Sequence, residues 1–201
     1  MMNKTSAAIM AALGLALAGA AQSAEPSDWI LRFGAHRVEP KSDNHGTVNA
    51  DGAQMLTFNL TRMINDQWGV ELLAALPFKH DVNLNGGGKV ADVKHLPPTL
   101  SVQYHFAPEA KVRPYVGVGL NATLFFSEHT TGALAGTDLK LGTSFGPAAQ
   151  VGLDFDITDR WFLNGDVRWI DIDTKAKLDG VSLGTVAIDP LTFGISVGRK
   201  F

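Results

Sequence analysis

The chain has 201 residues, no cysteine and a formal net charge of -3, and its length suits one domain with a sizeable core. The absence of a long basic run excludes nucleic acid as an expected partner, because a nucleic-acid binder needs clustered Lys and Arg side chains to neutralise phosphates. Without cysteine, neither a disulfide framework nor a thiolate metal site can form.

The first residues have the pattern of a secretory signal peptide. A short basic start precedes an apolar run over residues 7–18, and small residues follow it. The apolar run is shorter than the roughly 20 residues of a membrane-spanning helix. We therefore expect residues 1–24 to be a signal peptide, cleaved after Ser23 or Ala24, and residues 25–201 to form the mature domain.

The mature chain contains stretches in which apolar and polar residues alternate with a period of two, which predicts β-strands. In the fourth stretch the alternation begins at Thr99, directly after the pair Pro97-Pro98. In the fifth, every second residue from Pro114 to Phe126 is apolar, over a length that crosses a bilayer. Eight strands are predicted, in chain order 29–38, 55–63, 68–78, 93–106, 114–126, 148–155, 161–169 and 188–201.

The connections between these strands alternate between short and long. Tight turns are predicted near residues 65, 109 and 158, and longer segments near 46, 86, 134 and 180, as in outer-membrane barrels with short periplasmic turns and long external loops. This orientation gathers aromatic residues from the apolar faces into a periplasmic girdle, formed by Trp29, Trp68, Phe106, Phe155, Trp161 and Phe201. A sparser outer girdle would contain Phe78, Phe126 and Trp169.

The predicted fold is therefore all-β, an eight-stranded antiparallel transmembrane β-barrel in a bacterial outer membrane. A soluble β-sandwich would explain the alternation but not the girdles. Outer-membrane lipid and lipopolysaccharide are the expected surroundings of such a barrel.

Four segments resemble the OmpW family of small outer-membrane barrels: VELLAALPFKHD at 70–81, KHLPPTLSVQYHF at 94–106, RPYVGVGLNATLFF at 113–126 and DVRWIDIDT at 166–174. The resemblance implies a Gram-negative barrel whose narrow, largely apolar lumen admits small hydrophobic solutes from outside. The chain departs from the family at Arg199, where an aromatic residue is usual. This departure bears on the efficiency of assembly and not on the fold, because the outer-membrane assembly machinery is expected to recognise the terminal strand ending at Phe201.

The inward-facing residues separate by depth into two predicted regions. Towards the periplasm lies a polar floor, in which acidic side chains are within reach of the arginines; it contains Arg32, Glu71, His105, Asp154, Asp166 and Arg168. Towards the outside the lining is mostly apolar. The expected solute path follows Met55, Leu73, Pro77, His95, Pro97, Phe125 and Ile170.

Three prolines suggest a way out of the lumen. Consecutive residues in a strand direct their amides to opposite neighbours, so Pro97 and Pro98 remove one ladder donor towards each adjoining strand, and Pro77 removes another. An apolar solute stopped by a charged floor would favour the bilayer. We hypothesise a lateral gate at Pro77, Pro97 and Pro98, between the third and fourth strands; the alternative is that these prolines only end the regular ladder near the rim.

Other functions are supported less by the residues. The six histidines lack ligand-like spacing, so we expect no metal and no cofactor. An outer-membrane lipid-modifying enzyme would need His36 or His95 to act with Ser101, but no nucleophile motif is present, and we expect no enzyme activity. A structural or adhesive barrel, working through its external loops, is the remaining alternative.

Overall fold

The computed structural model describes residues 28–40, 48–50, 52–84 and 87–201. The predicted signal peptide and its cleavage point lie outside these ranges. No helix among the described residues is long and apolar enough to cross a membrane.

The described residues form fourteen strands and one short 3-10 helix, Gly132–Leu134. In chain order the strands are β1 (Trp29–Glu39), β2 (Val48–Ala50), β3 (Ala53–Met63), β4 (Trp68–Ala75), β5 (Phe78–Leu84), β6 (Gly88–Leu96), β7 (Thr99–His105), β8 (Val112–Thr130), β9 (Leu139–Leu141), β10 (Ser144–Asp156), β11 (Trp161–Ile170), β12 (Asp173–Leu178), β13 (Val181–Ala187) and β14 (Leu191–Lys200).

Eight of these strands close into an antiparallel barrel, as predicted. The ring runs β1, β3, β4, β7, β8, β10, β11 and β14. It returns to β1 through a ladder in which Phe33 lies opposite Val197. A membrane-spanning sheet must have no open edge, and closure of the ring meets this requirement.

The barrel is apolar outside and polar inside. On β8, the outward residues Val118 and Leu120 are 68% and 71% exposed, whereas the inward Tyr115 is 1% exposed. On β1, Arg32 is fully buried between the exposed side chains of Leu31 and Phe33. This arrangement is typical of a barrel that faces lipid, and the soluble sandwich is therefore wrong.

The aromatic residues lie at the ends of the barrel strands. At the end with the tight turns, the exposed members are Trp68, Phe106, Phe155, Trp161 and Phe201, and Trp29 is half-buried. At the other end, Phe126 and Trp169 are exposed, and the side chain of Phe78, the third predicted member, lies outside the part of the chain that the structure describes. The guanidinium of Arg199 lies 5.4 Å from the ring of Trp161 and 4.6 Å from that of Phe201. At this position, where the resemblance leads us to expect an aromatic residue, the arginine thus makes cation–π contacts with both rings.

Several segments assigned to loops from the sequence are strands outside the barrel ring. The hairpin β5–β6 pairs with the far end of β8, and β9, β12 and β13 form a separate three-stranded sheet. Correspondingly, the third predicted strand ends at Ala75 and the eighth begins at Leu191. These strands do have buried residues, such as Val90, Ala91 and Val93 on β6 and Thr174 and Ala176 on β12. The prediction failed there because those residues do not form a run of alternating apolar side chains, which was the signal used.

Candidate functional site

The lower half of the lumen is filled by buried ion pairs. Arg32 Nη2 lies 2.9 Å from Asp154 Oδ2, and Arg168 Nη1 lies 2.7 Å from Glu71 Oε1. Glu71 Oε2 is also 3.6 Å from Arg32 Nη1, so one carboxylate links the two arginines. These four side chains are at most 3% exposed. Paired charges of this kind offset part of their desolvation cost, and together they close the floor.

His36 also belongs to this floor. Its Nε2 lies 3.0 Å from Asp166 Oδ2, and its Nδ1 lies 2.9 Å from Thr57 Oγ1. Asp166 also accepts a hydrogen bond from Arg168 Nε. The facing strand makes room for the imidazole with Gly194, where a Cβ would lie 2.1 Å from His36 Nε2.

Two buried aromatic rings complete the floor, and sequence reasoning missed both. The guanidinium carbon of Arg32 lies 5.1 Å from the ring centroid of Tyr115 and 5.3 Å from that of Phe162, within cation–π range. Tyr115 also stacks on His105 at 5.1 Å, and His105 Nε2 lies 3.1 Å from Gln103 Oε1. The alternation could have identified both rings. Tyr115 lies six residues from the lumen-facing Asn121, and Phe162 lies two residues from the lumen-facing Asn164, so each ring is on the inward face of its strand.

Above the floor, the predicted path residues lie in separate apolar groups. Met55 packs in one group with Val38 and Ala75, whereas Phe125 and Ile170 pack in another with Ala148 and Ile172. His95 stacks on His80, with ring centroids 4.8 Å apart, and lies 5.7 Å from Phe125. Leu73 is buried at the upper end of β4.

The ladder between the third and fourth spans is broken at the prolines. The β4–β7 ladder ends at the pair Leu73 and Thr99, and pairing resumes only at Phe78 and His95 in β5–β6. We call the stretch between these pairs, residues 74–77 facing residues 96–98, the proline break. Each strand meanwhile keeps its other neighbour, since the Leu76 amide donates to Leu56 O at 3.0 Å and the Ala122 amide donates to Pro98 O at 3.0 Å.

The two sides of the proline break differ in exposure. Pro97 and Pro98 are buried, whereas Leu76 and Pro77 are exposed in the bend between β4 and β5. Leu96, on the opposite side of the break, is half-buried. Apolar side chains therefore flank the break on both sides.

Asn121 of β8 holds the buried side of the break. Its Nδ2 donates to Pro97 O and Pro98 O, at 3.2 Å each, and to Thr99 Oγ1 at 2.9 Å. Its Oδ1 accepts a hydrogen bond from Thr123 Oγ1 at 2.6 Å. Asn121 lies at the height of the prolines, since it lies opposite Thr99.

The structure does not bring together the residues of the enzyme alternative. Both ring nitrogens of His36 engage Thr57 and Asp166. Ser101 lies in β7, below the proline break, whereas His95 lies in β6, above it.

The geometry of the barrel agrees with the comparison to known proteins. The OmpW family model matches residues 27–201. The chain belongs to the OmpW family. This OmpW-family chain is 40% identical over 213 residues to outer membrane protein W of Escherichia coli (strain K12), in an alignment that covers 100% of both proteins.

Solved structures and a further relative extend the comparison. The crystal structure of the outer membrane protein OprG from Pseudomonas aeruginosa is similar with a TM-score of 0.77 and 35% identity, covering 90% of this chain and 98% of that chain. The dibenzothiophene metabolism operon protein PahQ of Pseudomonas aeruginosa is 29% identical over 194 residues, covering 89% of this chain and 90% of that protein. This OmpW-family barrel is thus a protein of the bacterial outer membrane.

Proposed function

We propose that this barrel admits small hydrophobic solutes from outside the cell and releases them sideways into the outer membrane through the proline break. The observation that carries the proposal is the interrupted ladder between β4–β5 and β6–β7, located above a floor of buried ion pairs.

The floor disfavours passage straight through the barrel. An eight-stranded barrel is only wide enough to be filled by side chains or to hold one small ligand, and here charged and aromatic side chains fill its lower half. An apolar solute that reached the floor would have to displace ion pairs. The hydrocarbon of the bilayer, reached through the break, is the favourable destination.

Two further features support a lateral route. The break is flanked by Leu76, which is 49% exposed, so an apolar solute would meet an apolar rim. The hydrogen bonds from the Leu76 amide to Leu56 O and from the Ala122 amide to Pro98 O hold each strand to its other neighbour. The two strands can therefore separate at the break while their other ladders stay paired. The relative PahQ is named for dibenzothiophene metabolism, and dibenzothiophene is an apolar aromatic compound.

Restoring the missing amides tests the lateral route. In the double variant Pro97→Val, Pro98→Val, both positions regain an N–H and the break can close by strand pairing. We expect uptake of naphthalene into liposomes containing the purified protein to fall several-fold, while Pro108→Val, in the turn after β7, leaves it unchanged.

Two results would contradict the proposal. Wild-type rates in the double variant would exclude the lateral route. Absence of uptake by the wild type would exclude transport altogether and favour the structural or adhesive barrel.

A further inference from the structure

A small cavity adjoins the lower edge of the proline break. Its volume is about 10 Å³, which is the room of one water molecule or one hydroxyl group. Its apolar lining includes Leu73 and Ile170, and its polar lining includes Ser101, Gln150 and Arg168. Leu73 belongs to the last ladder pair before the break, so the cavity lies where the apolar and charged halves of the lumen meet.

Two glycines of β8 make room for the polar lining. A Cβ at Gly119 would lie 2.5 Å from Ser101 Oγ, and a Cβ at Gly117 would lie 2.7 Å from Gln150 Nε2. Ser101 and Gln150 come from the strands on either side of β8, and both side chains lie over these glycines. The absence of side chains at Gly117 and Gly119 therefore leaves room for two of the polar residues that line the cavity.

Gln150 presents a buried acceptor. Its Nε2 donates to Glu71 Oε1 at 3.1 Å, and this bond fixes the orientation of the amide because a carboxylate can only accept. Gln150 Oε1 then has no hydrogen-bond partner among the described residues, although Gln150 is only 5% exposed. A buried acceptor of this kind favours a ligand that donates a hydrogen bond.

The charges around the cavity argue against an anionic ligand. Arg168 is already engaged by Glu71 and Asp166. A carboxylate placed beside Arg168 would therefore face two carboxylates that already neutralise the guanidinium. An uncharged donor meets no such repulsion.

We propose that this cavity anchors the hydroxyl group of an uncharged amphipathic solute, an alcohol or a phenol. The hydroxyl donates to Gln150 Oε1 and accepts from Ser101 Oγ, while the apolar part lies along Leu73 and Ile170 towards the break. The inference rests on the proposed lateral route and names the solute class that the route favours.

The test compares 1-hexanol, hexane and hexanoate by NMR titration of the protein in lipid nanodiscs. We expect 1-hexanol to shift the side-chain amide signal of Gln150, and hexane to leave it in place. Loss of one hydrogen bond in Ser101→Ala or Gln150→Leu should weaken 1-hexanol binding about three- to tenfold. The matched control is Ser196→Ala, since Ser196 is an equally buried serine in the floor that bonds to Asn164 Oδ1 at 3.2 Å.

The outcomes separate this inference from the proposed function. Equal shifts with hexane and 1-hexanol, or unchanged binding in Ser101→Ala, would overturn the hydroxyl anchor. Tighter binding of hexanoate than of 1-hexanol would overturn the solute class. The amide spectrum reports whether each variant is folded. If Gln150→Leu does not fold, Ser101→Ala alone tests the hydroxyl anchor. The naphthalene assay with the double proline variant is independent, so the lateral route can fail while the anchor stands, or the reverse.

Discussion

Replacing Asn121 with Ala tests whether the shape of the proline break, beyond its missing amides, governs uptake. Asn121 Nδ2 contacts Pro97 O and Pro98 O at 3.2 Å each and Thr99 Oγ1 at 2.9 Å. These bonds tie the bend before β7 to β8 and hold it away from β4. In Asn121→Ala we expect the bend to relax towards β4 and the break to narrow.

The cost of this substitution can be worked out from the remaining donors. Pro97 O still accepts from Thr99 Oγ1 at 3.2 Å, and Pro98 O still accepts from the Ala122 amide at 3.0 Å. Neither carbonyl is orphaned, but Thr123 Oγ1 also loses its acceptor, Asn121 Oδ1. The loss therefore amounts to about three ordinary hydrogen bonds, or about 1.5–4.5 kcal/mol in the free energy of unfolding. A bias of about 1 kcal/mol towards the closed break lowers its open population roughly fivefold.

The assay pairs Asn121→Ala with Asn164→Ala, a buried asparagine of the floor that donates to Asp154 Oδ1 at 2.8 Å. Both variants should lower stability in urea unfolding of the lipid-embedded protein. Only Asn121→Ala should lower naphthalene uptake, by about fivefold. Wild-type uptake in Asn121→Ala, or an equal fall in both variants, would refute the reasoning.

Two further predictions concern the floor and the external hairpin. Glu71→Gln should lower the free energy of unfolding by about 3–5 kcal/mol, because a neutral amide cannot balance two buried arginines; urea unfolding checks this against Glu109→Gln in an exposed turn, and equal stability would contradict it. Burial, and next the neighbouring His80, lower the pKa of His95 to about 3. Because this pKa lies below the ordinary value of about 6.5, the opened hairpin takes up a proton first, and hairpin stability should fall as the pH drops from about 6.5 towards 3. Hydrogen exchange over residues 88–96, corrected for the intrinsic rate, should show this fall between about pH 6.5 and about pH 4.5, above the range in which Asp92, paired with Lys79 and Lys89, is protonated. The fall should appear in the wild type and in the exposed-site variant His129→Gln but not in His95→Gln. A flat wild-type profile in this range would contradict the prediction.

The class of fold and the chemistry of each face could be predicted from the sequence. A period of two places every second side chain on one face, so Val118 and Leu120 face lipid and Arg32, Glu71 and Arg168 face the lumen regardless of tertiary detail. The aromatic girdles followed from the same parity together with the alternation of short and long connections. The eight spans and their polar interior needed no more information than this.

The partners of the lumen residues could not be predicted in the same way, because height in the barrel depends on register between strands that are distant in sequence. His36 belongs to the floor since it lies opposite Gly194 on β14, and Asn121 belongs to the break since it lies opposite Thr99. The strands outside the barrel ring were missed because their buried positions, such as Thr174 and Ala176 on β12, do not form an alternation of apolar residues.

The sequence by itself determined that three prolines remove ladder donors beside the third and fourth strands, but only the tertiary structure decided which backbone hydrogen bonds remain around them. A proline removes its own amide donor, whereas its carbonyl pairs with whichever neighbour reaches it. Pro98 O is reached by the Ala122 amide of β8, and Leu56 O is reached by the Leu76 amide. The two strands are therefore held by their outer neighbours, and the break lies between them.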